Sequence, residues 1–522
     1  MLRSLASVGL SALLLACGAA APAAPAKAPA AALGPDQTPQ TSQSGEKAQQ
    51  ASLLGELPPG VPQAPEACSA RTKVEPAACG AHGDFMGALA RALSANGVEQ
   101  DRLLGCLETA PEAPPGLLRA LRADTAPRGC GDSVVGDAAV SGAPRDIADV
   151  LVALGFGARL YRSVREPPLP RPPFDKATFL KHFKEVLSPW IVQQAHAVDV
   201  LSKIGPRLSG YARGIVALEA GLADMRFVAI ARSIELPAEM KSDPEIRETY
   251  LVELERALEP RVARGRDAAL VGLAELSRQG ITTDARLSEA RVLLSQLFAG
   301  RRIDALDQLL LPALPALSAA TPALSVAAKL PAFYALELDA APSITDAALL
   351  RARLEQGVPP ALWLGTTAPS PELAALTQRA LFGLGQTYFW AEPFARAAAV
   401  ETPANDSGAA LVAALAKVLA RGPRNAAALM LGLPLLPPEL RDTAGVDALA
   451  KQKGPAAGLA EFDSALLRGL APPANDPTFW KDQAARYLRA QKKLDAPSAK
   501  RAADLAKAAA DTESELRKQP KP

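Results

Sequence analysis

From about residue 66 onward, apolar positions recur every three or four residues, and Gly, Pro or Asp cut the pattern at helix-sized intervals. Asp243-Pro244-Glu245 is a capped start, with Asp as N-cap and Pro at the first helical position. Ile246, Tyr250, Leu254 and Leu258 then stand one turn apart, and Pro260 predicts the stop. Asp267 to Gln279 predicts the next helix, closed by Gly280. Asp284 opens another, with Leu287, Ala290, Leu294, Leu297 and Phe298 on one stripe and Gly300 at its end. Ile303 to Leu311 follows, closed by Pro312. Nearer the start, Asp84 to Leu93 and Val98 to Glu108 predict two short helices joined by Ala95-Asn96-Gly97. Between Leu311 and Ser343 the pattern loosens and predicts an irregular hinge, with helical punctuation resuming at Thr345.

Short helices with short breaks make antiparallel neighbours, and a series of them makes a bundle or an α-solenoid. Composition agrees: hydrophobic residues are 49% of the chain but aromatics only 4%, so Ala and Leu carry the apolar content. That suits closely packed helices rather than sheets. The predicted class is all-α. A net charge of +2 over 522 residues implies no strong pull toward nucleic acid.

The start of the chain obeys a different pattern. One positive charge at Arg3 precedes a nearly unbroken apolar stretch from Ser4 to Ala16, too short for a permanent membrane span. Leu14-Leu15-Ala16-Cys17 resembles the lipobox of bacterial lipoproteins. The resemblance implies a diacylglyceryl thioether on the Cys17 thiol, cleavage before Cys17 and acylation of the new amino group. Such an anchor is stable, since each buried CH₂ contributes about 0.8 kcal/mol. Gly18 follows instead of the Asp associated with inner-membrane retention, which favours the outer membrane, with the body in the periplasm or at the cell surface. The Ala/Pro-rich stretch behind it cannot bury enough apolar surface to order itself. It predicts a disordered tether that spans more than about 100 Å when extended. The expected organisation is a signal peptide (1–16), lipidated tether (17–65), small disulfide-bearing helical domain (66–163), helical domain (174–315), repeat-like helical domain (343–510) and flexible tail (511–522). Proline-rich "REPPLPRPPF" at Arg165 to Phe174 marks the first boundary within the body.

Removing Cys17 for the lipid leaves Cys68, Cys79, Cys106 and Cys130, an even number in an exported chain, which reads as two disulfides. The helical hairpin brings the base of its first helix near the end of its second. This favours Cys79 with Cys106 and leaves Cys68 for Cys130; the sequential pairing stays open. Cys79-Gly-Ala-His82 has one metal-like spacing, but structural zinc needs a second tight pair. No metal or other cofactor is expected.

Two later segments resemble tetratricopeptide repeats, helix-turn-helix units of about 34 residues. Leu384-Gly385, Tyr388 and Ala397 match one set of spacings; Trp480, Tyr487 and Ala496 match another; Gly300 and Ala305 echo a turn glycine and a crossing residue. The resemblance implies a stacked helical surface that holds a protein partner. Pro393 and Pro497 depart from the repeat pattern, and no three units keep a fixed period.

Catalytic constellations do not assemble. His82, His182 and His196 lack zinc-ligand spacing, and Pro189 separates the last two. Glu253, Glu255 and Glu259 lie beside Arg256 as solvated helix partners. Arg256, Arg261, Arg264 and Arg266 crowd one helix junction, with Arg301 and Arg302 one helix pair later, a candidate contact patch for a phosphate, lipid headgroup or acidic protein surface. The expected function is a non-catalytic, lipid-anchored scaffold that binds envelope proteins. The alternatives are a carrier holding a small or lipidic ligand in a helical cavity, and a helical peptidoglycan-active enzyme. Metabolic labelling with a palmitate analogue is expected to mark the wild-type chain and to be lost in Cys17→Ser; equal labelling would refute the anchor.

Overall fold

A computed structural model describes residues 54–69, 79, 84–135, 142–171, 175–299, 306–313, 322–338, 371–389, 391–421, 442–470, 472–473 and 475–518. Every regular element among these residues is helical. The first two longer helices, α1 (Phe85–Ser94) and α2 (Gly97–Leu107), form the expected hairpin. The chain continues through α3 (Leu117–Thr125), α4 (Arg145–Ser163), α5 (Lys176–His182) and α6 (Ser188–Ser202). Next come α7 (Gly210–Ser233), α8 (Pro244–Arg278), α9 (Ala285–Leu294) and α10 (Pro322–Lys329). The last set is α11 (Pro371–Tyr388), α12 (Ala391–Ala399), α13 (Ser407–Leu419), α14 (Ala444–Ala450), α15 (Ala456–Gly469), α16 (Pro477–Gln491) and α17 (Ala496–Lys518).

α7 is the hub of the first part. It is buried nearly all round, and α4, α6, α8 and α9 pack against it. Small residues set how closely α7 and α8 approach. A Cβ on Gly221 would stand 2.7 Å from the Ala269 nitrogen and 2.8 Å from the Gly265 carbonyl, and one on Gly272 would stand 2.8 Å from the Leu218 backbone. These are backbone obstacles, so the crossing requires glycine at both positions. From α11 onward the arrangement changes. Each helix packs on the next through to α17, and α11 and α13 also reach α13 and α15, so the C-terminal part is a consecutive array. One continuous apolar core nevertheless runs from Val61 to Ala506. The proline-rich stretch from Arg165 therefore punctuates the helices without dividing the core: α4, before it, packs on α6 and α7, after it.

Several expectations about boundaries are corrected. α8 does not stop at Pro260; it runs 35 residues with that proline inside. Pro260 is exposed, whereas Ala257, Leu258, Arg261 and Val262 are buried around it. Tertiary burial on both sides outweighs the loss of one helical hydrogen bond, and the orphaned carbonyl side faces water. Pro189 likewise lies in a continuous helical run from Lys176 to Ser202, in which Phe183–Leu187 is a π turn. The predicted hinge contains α10 and the short helix Ala332–Glu337, whose Tyr334 is fully buried. Of the helix expected over Ile303 to Leu311, the described end is helical only at Leu306 and Asp307. The predicted tail is also helical through Lys518. Helical resumption at Thr345, and Gly300 with Ala305, lie outside the described residues.

The body starts earlier than residue 66. Leu54 and Val61 are buried, and Leu54 fills a notch over Gly155, where a Cβ would stand 2.7 Å from the leucine. Arg159 donates to the Leu54 carbonyl at 2.5 Å and the Gly55 carbonyl at 3.1 Å, and Arg162 donates to the Pro62 carbonyl at 3.0 Å. Residues 54–65 are therefore a strap laid along α4.

The repeat-like segments differ in how they use their marker residues. Gly385 faces Phe394 across the α11–α12 hairpin, and Leu384, Tyr388 and Ala397 are buried. Tyr487 is buried against Phe462 at 5.7 Å, but Ala496 is exposed at the start of α17. Pro497 occupies the first turn of α17, where its missing N–H is not needed.

Gly221→Ala is expected to lose about 1–3 kcal/mol in urea unfolding, because the methyl meets backbone. Gly383→Ala, in α11 with nothing within 4 Å of the added methyl, is expected to gain about 0.5–1 kcal/mol.

Candidate functional site

The structure joins Cys68 to Cys130 and Cys79 to Cys106, with Cα–Cα distances of 5.2 and 5.4 Å. The α1–α2 hairpin is what makes the second bridge reachable, while Cys68 meets Cys130 in the turn that leads toward α4. Cys17 lies outside the described residues, as do His82, Arg301 and Arg302.

The four arginines of the candidate patch that are described do not form one open surface. Arg261 is 4% exposed; its guanidinium lies 3.7 Å over the Phe227 ring and donates to the Ile191 carbonyl and to Asp224. Arg264 grips Asp224 with two bonds of 2.5 and 2.7 Å. Arg266 pairs with Asp267 at 2.8 Å, and Arg256 lies on the exposed face 3.9 Å from Glu253. Glu255 is held by Arg232 through bonds of 2.8 and 2.5 Å. Helix geometry gives the reason: Arg261 and Arg264 share the face of α8 that meets α7, whereas Arg256 points away from it.

What they meet on α7 is the feature that sequence reasoning passed over. Two carboxylates, Glu219 and Asp224, sit in the apolar run "IVALEAGLADM", and each is 1% exposed. An ionised carboxylate there needs a cation from another element. Asp224 takes Arg264 and Arg261 from α8. Glu219 takes Arg128, from the short turn Arg128–Cys130, through bonds of 2.6, 2.6 and 2.9 Å. Arg286 of α9 and Arg226 of α7 stand 3.4 and 3.7 Å from the same carboxylate.

The network extends in two directions. Arg286 bonds Asp124 at 2.7 Å and Asp284 at 2.9 Å, and the Tyr211 hydroxyl donates to Asp124 at 3.1 Å. Burial alone would lower the Arg286 pKa, but Asp284, Asp124, Tyr211 and Glu219 overcome it and hold the guanidinium firmly charged. Burial and the Asp124 charge push the Tyr211 phenol well above its ordinary range, so it stays neutral. On the outer side, Glu289 accepts from Arg226 at 2.5 and 2.8 Å and from Arg128. The Tyr161 ring lies 4.8 and 4.7 Å from those two guanidiniums. Burial opposes ionisation of Glu289, but the two arginines win and lower its pKa.

A further buried carboxylate lies in the C-terminal array. Asp463 of α15 is fully buried and accepts the Leu310 N–H at 2.8 Å, while its other oxygen has no hydrogen-bond partner. Burial raises its pKa well above the carboxylate range, against the pull of that N–H, Arg501 and Arg379. Burial also lowers Arg379 to about 10, with Asp463 acting in the opposite direction.

As chemistry, the clusters around α7 are ion pairs in which carboxylates face guanidiniums contributed mainly by other elements, whereas Asp463 is held by one backbone N–H. Among the described residues no group of three or more His, Cys, Asp or Glu could hold a metal ion. The His182 Nε2 is taken up by the Pro168 carbonyl, and His196 is exposed. An open hollow of about 420 Å³ lies between α1 and α10, lined by Ala90, Arg91, Ser94, Ala95 and Ser325. No described helix is long and apolar enough to cross a membrane. Comparison with protein-family models, with curated proteins and with solved structures finds no match for this chain.

Asp463 generates a pH dependence with a definite sign. Its folded pKa lies above the ordinary value of 3.8, so its contribution is fully present below that value and is lost as pH rises toward the folded pKa. Asp463→Asn removes that loss. In urea unfolding the variant is expected to gain on wild type between pH 4 and pH 8, by up to about 1.4 kcal/mol per pH unit where the slope is steepest. A constant difference across that range would contradict the assignment.

Proposed function

We propose that this chain is a lipid-anchored, non-catalytic α-helical scaffold of the bacterial cell envelope that binds protein partners. The observation that carries the reading is the use made of the charges around α7: Glu219, Asp224, Asp124 and Glu289 pair with arginines from other elements and act as fasteners between them. The lipobox-like run ending at Cys17 supports the envelope address, and the consecutive array from α11 to α17 supports the partner surface, since such arrays expose a long continuous face. The tetratricopeptide resemblance of Leu384–Ala397 is in keeping with this, through the Gly385–Phe394 contact.

A photo-crosslinking residue placed at exposed Leu488 in the array, and another at exposed Val252 in the bundle, tests this in cells. A discrete protein adduct is expected from Leu488, reduced in a Cys17→Ser background. Adducts to lipid or glycan alone from either position would overturn the scaffold reading in favour of a carrier or a wall-active protein.

A further inference from the structure

The C-terminal array meets the central bundle at a joint built around one backbone strain and one arginine. α11 ends at Tyr388, and Phe389 follows with φ +53°. That is the left-handed region, where a bulky residue without glycine's freedom costs roughly 1–3 kcal/mol and persists only when its surroundings over-determine it. The surroundings here are specific. The Phe389 ring is 2% exposed and lies 4.7 Å beneath the Arg291 guanidinium of α9. Arg291 donates to the Gln386 carbonyl at 3.2 Å and to the Thr387 carbonyl, and pairs with Asp307. The carbonyls at a helix C-terminus lack intrahelical partners and carry the negative end of the dipole, so a forked cation is the group that fits them.

Neighbouring contacts complete the joint. The Tyr388 hydroxyl donates to the Ile281 carbonyl, the Gln386 amide donates to the Leu306 carbonyl at 2.5 Å, and the Leu310 N–H reaches Asp463 in the array. α8 also touches α11. The Tyr388–Ile281, Gln386–Leu306 and Leu310–Asp463 bonds each join a residue of the array to one outside it, as do the bonds Arg291 makes to Gln386 and Thr387.

We propose that Arg291 and the strained turn at Thr387–Phe389 form a latch that sets the pose of the array (371–518) against the bundle. In the latched state Arg291 holds the α11 terminus and covers the Phe389 ring. When it lets go, Phe389 relaxes out of the left-handed region and the array swings about Leu306–Leu310.

Pulsed electron paramagnetic resonance on the full chain with Cys17→Ser tests the latch, with spin labels at exposed Arg247→Cys in α8 and Lys507→Cys in α17. The otherwise unaltered chain is expected to give one narrow distance. Arg291→Gln is expected to add a second, broader population several-fold above background, with unchanged far-ultraviolet circular dichroism. Phe389→Ala, which removes the ring and keeps the left-handed strain, is expected to do the same. Arg291→Lys keeps the charge without the fork and is expected to fall between. Arg396→Gln, which breaks an exposed pair within α12, is expected to leave the single distance. One narrow distance in folded Arg291→Gln and Phe389→Ala chains would overturn the proposal. No partner is present in the measurement, so failure of the scaffold reading would show only in the cellular crosslinking.

Discussion

Two carboxylates buried in the middle of α7 impose the constraint from which the bundle follows. Taking Glu219 and Asp224 out of water costs several kcal/mol each unless guanidiniums meet them with good geometry. No single helix supplies those cations. Arg128 arrives from the turn after α3, Arg286 from α9, and Arg261 with Arg264 from α8. A register error of one turn in any of these elements would strand a buried charge, and breaking such a pair typically costs about 3–5 kcal/mol. Apolar residues of the same volume could hold the helices together as strongly, but they would tolerate sliding. The ion pairs therefore act on uniqueness of arrangement more than on total stability.

The same helix carries the other determinant, close approach. Gly221 separates Glu219 from Asp224 on α7, and Gly265 and Gly272 lie opposite on α8. Backbone contact at these positions brings Arg261 and Arg264 near enough to reach Asp224. It also stabilises α8 over its full length, which explains why Pro260 sits within it. A proline on the exposed face removes one hydrogen bond, while the buried residues before and after it stay committed to α7. Packing geometry and charge pairing are thus two expressions of one crossing.

Apolar periodicity made the class and many helix starts readable from the amino acids, because those depend on local pattern and caps. Asp284 and Asp243 cap where expected, through bonds to Arg286 and Leu287 and to Glu245. Helix ends were less legible, since Pro260 and Pro189 break a local rule that distant packing overrides. The ion pairs were half legible. Glu219 and Asp224 stand out as acidic residues in an apolar run, and that alone demands partners. Their partners come from residues 91 and 40 positions away along the chain, a separation no local pattern encodes. The arginines were conspicuous in sequence for the opposite reason, as a cluster of like charge, and that clustering hid that two of them turn toward α7, Arg261 buried and Arg264 half-exposed at its edge.

The strap at residues 54–65 shows a further way in which burial escapes a composition-based boundary. Leu54 and Val61 are its buried apolar anchors, with Leu57 and Ala64 packed partly buried against the core, and much of the remaining attachment is made by Arg159 and Arg162 reaching backbone carbonyls, which any sequence possesses. Much of the information for the strap therefore resides in α4, about a hundred residues downstream. Arg162 also holds Asp132 through bonds of 2.8 and 2.7 Å, immediately beyond Cys130, the partner of Cys68. One guanidinium thus ties the strap, the disulfide turn and α4 together.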